Sequence, residues 1–311
     1  MTSFQDLADF WPTQCDSVGD YLRRCGIGES RARLYERYFG FSEIRVADGI
    51  SPADQLVSAA RNLSHLDDRR RHIRYILQAR TLPVGAPYPS STVHQVRAAL
   101  GLEHAQAFCV TQHACASGLL AVELAGRLLA GAGDPEALAL VVTGEKAIGV
   151  ETRVIPETGV MGECTAAILV GLGGRHDRVL SYATATQGDF EDGAAMTDEQ
   201  RARFQDVYPQ VLADVIASAV QRAGSQIDDI DLILPHNVNR MSWLPVLRRL
   251  GLRGSERLFL RNLPLIGHCF GADPFINYLT ARNEGRLRRG RRYVLTSVGL
   301  GATFSAMVVE H

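Results

Sequence analysis

The sequence is short of several features that mark particular classes of protein. Its 311 residues carry a formal net charge of -1, so no global field favours a polyanion, and we expect no nucleic-acid partner. Lys146 is the only lysine, which leaves a Schiff-base mechanism a single candidate. No uninterrupted apolar run approaches the roughly 20 residues that cross a bilayer, and the start lacks a basic region followed by an apolar run. We therefore expect no membrane partner.

Cysteine pairs and metal-binding spacings are also missing. The six cysteines are scattered without a C-x-x-C pair, and the cysteine and histidine spacings fit no zinc pattern. We therefore expect reduced thiols, a cytoplasmic location, no metal and no cofactor. The cysteines are Cys15, Cys25, Cys109, Cys115, Cys164 and Cys269.

The composition is that of an ordinary globular protein, 46% hydrophobic and 22% charged, and one stretch around Cys115 organises the chain. A β-rich run from Ala107 to Thr111 breaks into a turn of small residues, and an apolar segment with helical spacing follows from Ala116 to Ala130. Cys115 is thus predicted at a strand-to-helix elbow, where a helix N-terminus favours a thiolate and small neighbours admit a carbonyl. Such a cysteine is either a nucleophile or a small buried side chain. The choice depends on whether distant residues supply a base.

Two histidines occupy comparable positions later in the chain. His236 follows a predicted strand at Leu232 to Leu234, and His268 comes just before a helical segment. Ligand sites of α/β proteins lie where strand ends converge, so we expect both imidazoles near Cys115. One would activate the thiol, and the other would donate a hydrogen bond to an enolate or oxyanion. This set suits acyl transfer in two steps, with an acyl group loaded on Cys115 and then attacked by a second substrate.

Strand and helix patterns alternate in two similarly organised stretches. A turn, a helix, a polar loop, a buried strand and a glycine follow one another from Cys115 to Gly144, and again from Cys269 to Gly299. The repeat predicts two parallel-rich sheets about a pseudo-twofold axis, with helices between and outside them. Residues 1 to 50 show only polar helices and loops, with a short strand at best at 44 to 47.

Six short blocks around these residues carry a family resemblance. The blocks are Cys115-Ala116-Ser117-Gly118, Gly144-Glu145, Gly162-Glu163-Cys164-Thr165-Ala166-Ala167, Pro235-His236-Asn237-Val238-Asn239, Gly267-His268-Cys269-Phe270-Gly271-Ala272 and Gly299-Leu300-Gly301-Ala302. They look like the signature blocks of β-ketoacyl-acyl carrier protein synthase III and its relatives in the thiolase fold, in the correct order. The resemblance implies an α/β, thiolase-like fold, with two pseudo-twofold-related halves in a five-layer αβαβα sandwich.

The resemblance also implies two domains and roles for single residues. The half at 1–174 would carry Cys115 as the acyl-accepting nucleophile, and the half at 175–311 would carry His236 and His268. His236 resembles the histidine of the family's His-Gln-Ala-Asn block, and His268 stands where the family has asparagine in Gly-Asn-Thr-Ser. One aromatic residue resembles the side chain that relatives push across a dimer interface, which implies a homodimer. Substrate contacts are expected from that residue, Tyr88, and from Asn239, Phe270 and Gly301.

The sequence departs from the family in three places. His268 gives a Cys-His-His set, as in elongating ketosynthases, which suits decarboxylation of a malonyl thioester or activation of an alcohol or amine. The start lacks the usual first strand, and the family's coenzyme A clamp has no clear match at 34 to 40, which favours a carrier-bound donor docking on surface arginines. The Phe270-Gly271 pair would reshape the acyl pocket. The arginines are Arg240, Arg248 and Arg249.

The expected function is acyl transfer of the synthase III kind, in specialised-metabolite or fatty-acid-like biosynthesis. The acyl group would move from a carrier-protein or coenzyme A thioester, through acyl-Cys115, to a second small-molecule or carrier-bound acceptor. An ester- or amide-forming acyltransferase that releases no carbon dioxide is one alternative. A non-catalytic subunit of a heterodimer is another, although such a subunit needs none of Cys115, His236 and His268. Hydrolysis of the same acyl-enzyme is a third, weaker alternative.

Overall fold

The computed structural model describes residues 1–82 and 89–311. The strands are β1 (Thr2–Phe10), β2 (Cys15–Ser17), β3 (Glu43–Arg45), β4 (Ile73–Ala79), β5 (Gln106–Val110), β6 (Leu138–Thr143), β7 (Val154–Ile155), β8 (Gly159–Val160), β9 (Thr165–Leu172), β10 (Arg178–Thr186), β11 (Ile230–Pro235), β12 (Arg292–Gly299) and β13 (Thr303–Glu310). The helices are α1 (Val18–Arg24), α2 (Glu29–Leu34), α3 (Pro52–Arg61), α4 (Leu66–Arg69), α5 (Thr92–Ala99), α6 (Ser117–Ala132), α7 (Val150–Arg153), α8 (Asp198–Arg222), α9 (Trp243–Arg249), α10 (Leu263–Ile266) and α11 (Asp273–Asn283).

The strand pairing repeats itself in the two halves of the chain. In the described residues, nine strands are joined in the order β11-β12-β13-β10-β1-β9-β6-β4-β5, with β10 and β1 paired at Arg178 and Ser3. In the first half, β4 and β6 are parallel, and β9 and β1 then follow antiparallel. In the second half, β11 and β12 are parallel, and β13 and β10 then follow antiparallel. The strand pairing of the first half ends at Leu172, and that of the second half begins at Arg178. The domain boundary at 174 stays a prediction.

We call the joined strands of the first half the first sheet and those of the second half the second sheet. Helices lie between these two sheets and on both outer faces. Helix α6 contributes Leu119 and Leu129, and α11 contributes Phe275 and Ile276, to a buried cluster shared with side chains of both sheets. Helices α3 and α5 cover the outer face of the first sheet, and α8 and α9 cover that of the second. This order of layers confirms the predicted thiolase-like α/β fold.

The central position of α6 explains its apolar composition. Ala114–Ala132, with 19 residues and a mean hydropathy of 1.4, is the one segment in the described residues that is long and apolar enough to cross a membrane. Of this segment, 56% is buried inside the protein. A helix enclosed by two sheets is apolar on most of its circumference.

The start of the chain corrects one expectation from the sequence. The prediction that the usual first strand is missing is wrong, because β1 pairs with β9 along its length. The register shifts between Phe4 and Asp6, and Phe4 and Leu7 consequently share the face toward α6 and α11 although they are three residues apart. Such a bulge removes the alternation of apolar and polar residues that identifies a strand.

Candidate active site

Cys115 lies in a tight turn between β5 and α6. The turn, Ala114–Ala116, is a single 3-10 segment, and Ala114 has a φ of +44°. Non-glycine residues rarely adopt this conformation, and it is found preferentially at functional sites. The second half of the chain holds the turn in place, because Ser297 Oγ of β12 donates to the Cys115 carbonyl oxygen over 2.9 Å.

His268 is buried between Cys115 and a carboxylate. Its Nδ1 lies 2.5 Å from Oδ2 of Asp273, the first residue of α11. Burial lowers the pKa of His268, but the Asp273 carboxylate, followed by the Cys115 thiol, raises that pKa to about 10. His268 is therefore cationic at neutral pH. A cysteine beside an imidazole that a carboxylate orients is the arrangement of an activated nucleophile.

Asp273 ties the two histidine loops together, a role that was not predicted from the sequence. It is fully buried, and its Oδ1 accepts a hydrogen bond from the Cys269 backbone N–H over 2.7 Å. Its Oδ2 accepts one from the Asn237 backbone N–H over 2.7 Å, directly after His236. An acidic residue before a proline at a helix start was the available signal. Only the fold shows that this carboxylate turns back to His268.

His236 follows the last residue of β11 and is completely buried. Its Nε2 lies 3.0 Å from the Tyr208 hydroxyl oxygen, and its Nδ1 has no hydrogen-bond partner in the described part of the chain. Burial, and then the charge of His268, lower the pKa of His236 to about 3, so this ring is neutral. The ring centroids of His236 and His268 are 6.0 Å apart. The fold thus brings both imidazoles and Cys115 into one neighbourhood.

A cavity of about 580 Å³ opens onto Cys115. This volume lies in the range of small-molecule sites. The lining includes Cys115 and Tyr208 but neither His236 nor His268. Most of the wall is apolar, with Phe39, Val154, Met161, Phe204, Phe270 and Leu300 among its side chains.

Asn239 lines this cavity, but its amide is engaged within the protein. Its Nδ2 donates to the Thr158 carbonyl oxygen over 2.8 Å, and its Oδ1 accepts from the Ser242 backbone N–H over 2.8 Å. These bonds hold the loops at the wall of the cavity. A direct substrate contact by Asn239 stays a prediction.

The other residues expected to contact substrate are placed differently. Phe270 lines the cavity with a φ of +55°, and its ring centroid is 6.3 Å from that of His268. Gly301 does not line the cavity, whereas its neighbour Leu300 does. Tyr88 lies outside the described residues.

The three arginines expected to dock a carrier protein are exposed. Arg240 Nε donates to the Tyr38 carbonyl oxygen over 2.7 Å, and Arg249 Nε donates to Gln210 Oε1 over 3.0 Å. Arg240 therefore joins the loop after His236 to the segment after α2. A role for Arg240, Arg248 and Arg249 in docking stays a prediction.

Comparison with known sequences identifies relatives of one kind. Residues 220–311 match the family described as 3-oxoacyl-[acyl-carrier-protein (ACP)] synthase III, C terminal. The chain is 24% identical over 304 residues to β-ketoacyl-[acyl-carrier-protein] synthase III of Clostridium perfringens strain SM101, which covers 90% of this chain and 89% of that protein. For the protein of strain ATCC 13124, the match is 25% identical over 142 residues and spans 43% of its length and 44% of this chain.

Solved structures agree over the whole chain. ChlB3, an acyltransferase, superimposes with a TM-score of 0.85 at 19% identity, over 99% of this chain and 97% of that one. The 3-oxoacyl-[acyl-carrier-protein] synthase III of Aquifex aeolicus VF5 superimposes with a TM-score of 0.84 at 20% identity, over 100% of both chains. These matches, with the layer order and the signature blocks, show that the chain has the thiolase fold of β-ketoacyl-acyl carrier protein synthase III and is similar to that enzyme in sequence.

Proposed function

We propose that this protein transfers acyl groups through a thioester formed on Cys115. The observation that carries the proposal is the position of Cys115, at the wall of the cavity and beside a cationic His268 whose Nδ1 is held by buried Asp273. This arrangement combines a sulfur-bearing residue at the cavity wall with a proton donor for a leaving group. The acyl-transferring character of the named relatives supports the same conclusion.

The reaction proceeds in two half-reactions on the same sulfur. In the first, the Cys115 thiolate attacks the donor's thioester carbon, the bond from that carbon to the donor sulfur breaks, and the leaving thiolate takes the proton of His268. In the second, an acceptor attacks the acyl-Cys115 carbon. For an alcohol or amine, the neutral His268 takes the acceptor's proton, and sulfur leaves as the thiolate. The thiolate and the cationic imidazole are thereby restored.

The donor is a carrier-protein or coenzyme A thioester in this proposal. The apolar wall of the cavity suits an acyl chain, and the relatives are named for acyl carrier protein. A cytoplasmic location and a role in specialised-metabolite or fatty-acid-like biosynthesis are part of the same proposal.

A second candidate function is acylation of an alcohol or amine without loss of carbon dioxide. Decarboxylative condensation needs hydrogen-bond donors facing the carbonyl of a malonyl thioester. Here His268 replaces the family's asparagine, its Nδ1 is occupied by Asp273, and neither imidazole lines the cavity. Carbon dioxide released from malonyl carrier protein after loading distinguishes condensation from this alternative.

We also propose that the protein is a homodimer, and the exposed edge of strand β5 supports this proposal. This strand is the edge of the first sheet, and Gln106, Phe108 and Cys109 are exposed along it. Exposed strand edges are templates for pairing with another chain. Light scattering at micromolar concentration should give about twice the chain mass of 34.0 kDa. A monomer at that concentration would contradict the proposal.

Intact-mass measurement tests the acyl-enzyme directly. The protein is incubated with acetyl- and octanoyl-coenzyme A and with the same acyl groups on acyl carrier protein. We expect one adduct with the mass of the acyl group, lost in Cys115→Ala and retained in Cys109→Ala, which removes an exposed thiol. An adduct that survives in Cys115→Ala, or no adduct with any of these donors, would favour the non-catalytic subunit.

A further inference from the structure

Tyr208 places a hydroxyl group in the wall of the cavity that holds Cys115. The residue lies in α8, lines the cavity, and packs against Phe204 and Phe304, with ring centroids 5.7 Å away in both cases. Its oxygen is 3.0 Å from His236 Nε2. His236 itself does not line the cavity, so Tyr208 stands between this imidazole and any ligand.

The hydrogen bonds of His236 decide which atom of this pair carries the proton. A neutral imidazole has one N–H and one acceptor nitrogen. Nδ1 of His236 makes no hydrogen bond of good geometry in the described residues. Burial lowers the pKa of His236, but the Thr296 carbonyl lies near enough to the ring to raise it in part. A buried N–H without a partner is rarer than a buried acceptor without one. The proton therefore belongs on Nε2, which donates to the Tyr208 oxygen. The Tyr208 O–H is then left to point into the cavity.

The helix around Tyr208 is interrupted at the same wall. Pro209 follows Tyr208 within α8, and proline has no N–H to donate to the carbonyl four residues earlier, which is that of Gln205. Gln205, Tyr208 and Pro209 all line the cavity. Irregular helical turns with freed polar groups are common at functional sites.

We propose that Tyr208 is a catalytic residue of the second half-reaction. Held by His236, its hydroxyl donates a hydrogen bond to the oxygen atom on which negative charge develops. That oxygen is the carbonyl oxygen of a malonyl thioester if the reaction is a condensation, or the carbonyl oxygen of acyl-Cys115 if an alcohol attacks it and an ester forms. Tyr208 transfers no proton in this step, and His236 acts through it as a positioning residue. The inference rests on the proposed acyl-Cys115 intermediate.

The test separates the two half-reactions in Tyr208→Phe. Acyl-Cys115 is prepared with octanoyl-coenzyme A, and its decay is followed by intact mass in water alone, with glycerol and with malonyl-coenzyme A. Tyr208→Phe should still acquire the adduct, because Cys115, His268 and Asp273 are present. Its discharge should be at least about tenfold slower than in the wild type, since a lost donor at a developing negative charge costs about 10²- to 10³-fold. The acceptor with which discharge of the variant slows identifies the oxygen atom that Tyr208 contacts.

Tyr182→Phe is the matched control, because it also removes a phenol hydroxyl that is hydrogen-bonded, to Ser305, away from the cavity lining. Its discharge should equal that of the wild type. Nitrogen NMR of His236 gives a second readout that needs no acceptor, and we expect the Nε2–H form. Discharge of Tyr208→Phe at the wild-type rate in every arm, or an Nδ1–H form, would overturn this inference alone. Failure of the wild type to form the adduct would overturn the proposed function, and this inference with it.

Discussion

In the first half, β5 pairs with β4 over five residue pairs before the chain turns into Cys115 and α6. At the matching place in the second half, only an isolated bridge between Ile233 and Leu258 remains before the chain reaches His268, Cys269 and α11. Both turns therefore set a cysteine beside one of the two central helices. Cys115 lines the cavity, whereas Cys269 is completely buried.

The two cysteines differ in their surroundings, and the difference bears on the proposed nucleophile. Burial and the neighbouring Cys164 raise the pKa of Cys269 well above its ordinary value, and its Sγ donates to the Ile266 carbonyl oxygen over 3.5 Å. Cys115 instead lies beside a cationic His268 and lines the cavity. In the proposed mechanism, the first half supplies the sulfur and the second half supplies the acid-base groups, so both halves are needed for the site.

The largest expected effect comes from removing the carboxylate of the second half. Asp273→Asn keeps the shape of the side chain but loses the charge that holds the His268 proton. We expect the rate of Cys115 acylation, measured by intact mass, to fall by up to about 10⁴-fold, or about 5 kcal/mol, by analogy with carboxylates that orient catalytic imidazoles. Asp177→Asn is the control, because Asp177 is also buried but binds Tyr278. Equal rates in the two variants would contradict the proposed role.

The pH profile of acylation sharpens the same test. In the wild type, His268 remains protonated until its pKa of about 10, so we expect the rate to decline only near that pH. The stability linked to this proton is present below the unfolded pKa of about 6.5 and is lost as pH rises through the folded value. Without the Asp273 charge, burial is the remaining main influence and lowers the pKa of His268. The decline should therefore move to below about pH 6.5 in Asp273→Asn.

The sequence was sufficient for the features that lie in consecutive residues. The elbow at Cys115 and the strand before His236 were predicted from local patterns, and the resemblance provided the layer order. The first strand was missed because its bulge breaks the alternation of apolar residues.

Asp273 and Tyr208 were missed for a different reason. Asp273 acts on a histidine five residues earlier through a turn of irregular backbone, and Tyr208 meets a histidine 28 residues later. Neither spacing is a repeat of helix or strand. Such pairings depend on how α8, β11 and α11 pack, which no local pattern contains.

The contact between the halves gives the next prediction. A Cβ on Gly299, at the end of β12, would lie 2.0 Å from the His113 carbonyl oxygen, in the turn that leads to Cys115. Gly299→Ala must push this backbone away, and we expect it to lower the free energy of unfolding by about 3 kcal/mol and to slow acylation of Cys115. Chemical denaturation and intact mass measure the two effects. If Gly299→Ala has the stability and the acylation rate of the wild type, the two halves do not pack closely at the contact between Gly299 and His113.

A smaller effect is expected at the buried cysteine. Cys269→Ala removes a sulfur from a sealed position, which costs about 1 kcal/mol in the free energy of unfolding. Acylation of Cys115 should continue, because Cys269 does not open onto the cavity. Cys109→Ala, at an exposed position, should change stability by less than about 0.5 kcal/mol. An acyl adduct that disappears in Cys269→Ala would contradict Cys115 as the nucleophile.

A small gain in stability is expected at the far end of α6, where a Cβ added to Gly131 meets no atom of the second half among the described residues. Gly131 is exposed, lies within the helix, and has nothing within 4 Å of an added Cβ. Alanine restricts the unfolded chain more than glycine does, so Gly131→Ala should raise the free energy of unfolding by about 0.5–1 kcal/mol. Chemical denaturation measures this gain, and acylation should be unchanged. Opposite signs for Gly131→Ala and Gly299→Ala would show that glycine is required at the junction of the halves and dispensable away from it, whereas a loss of stability in both would remove that distinction.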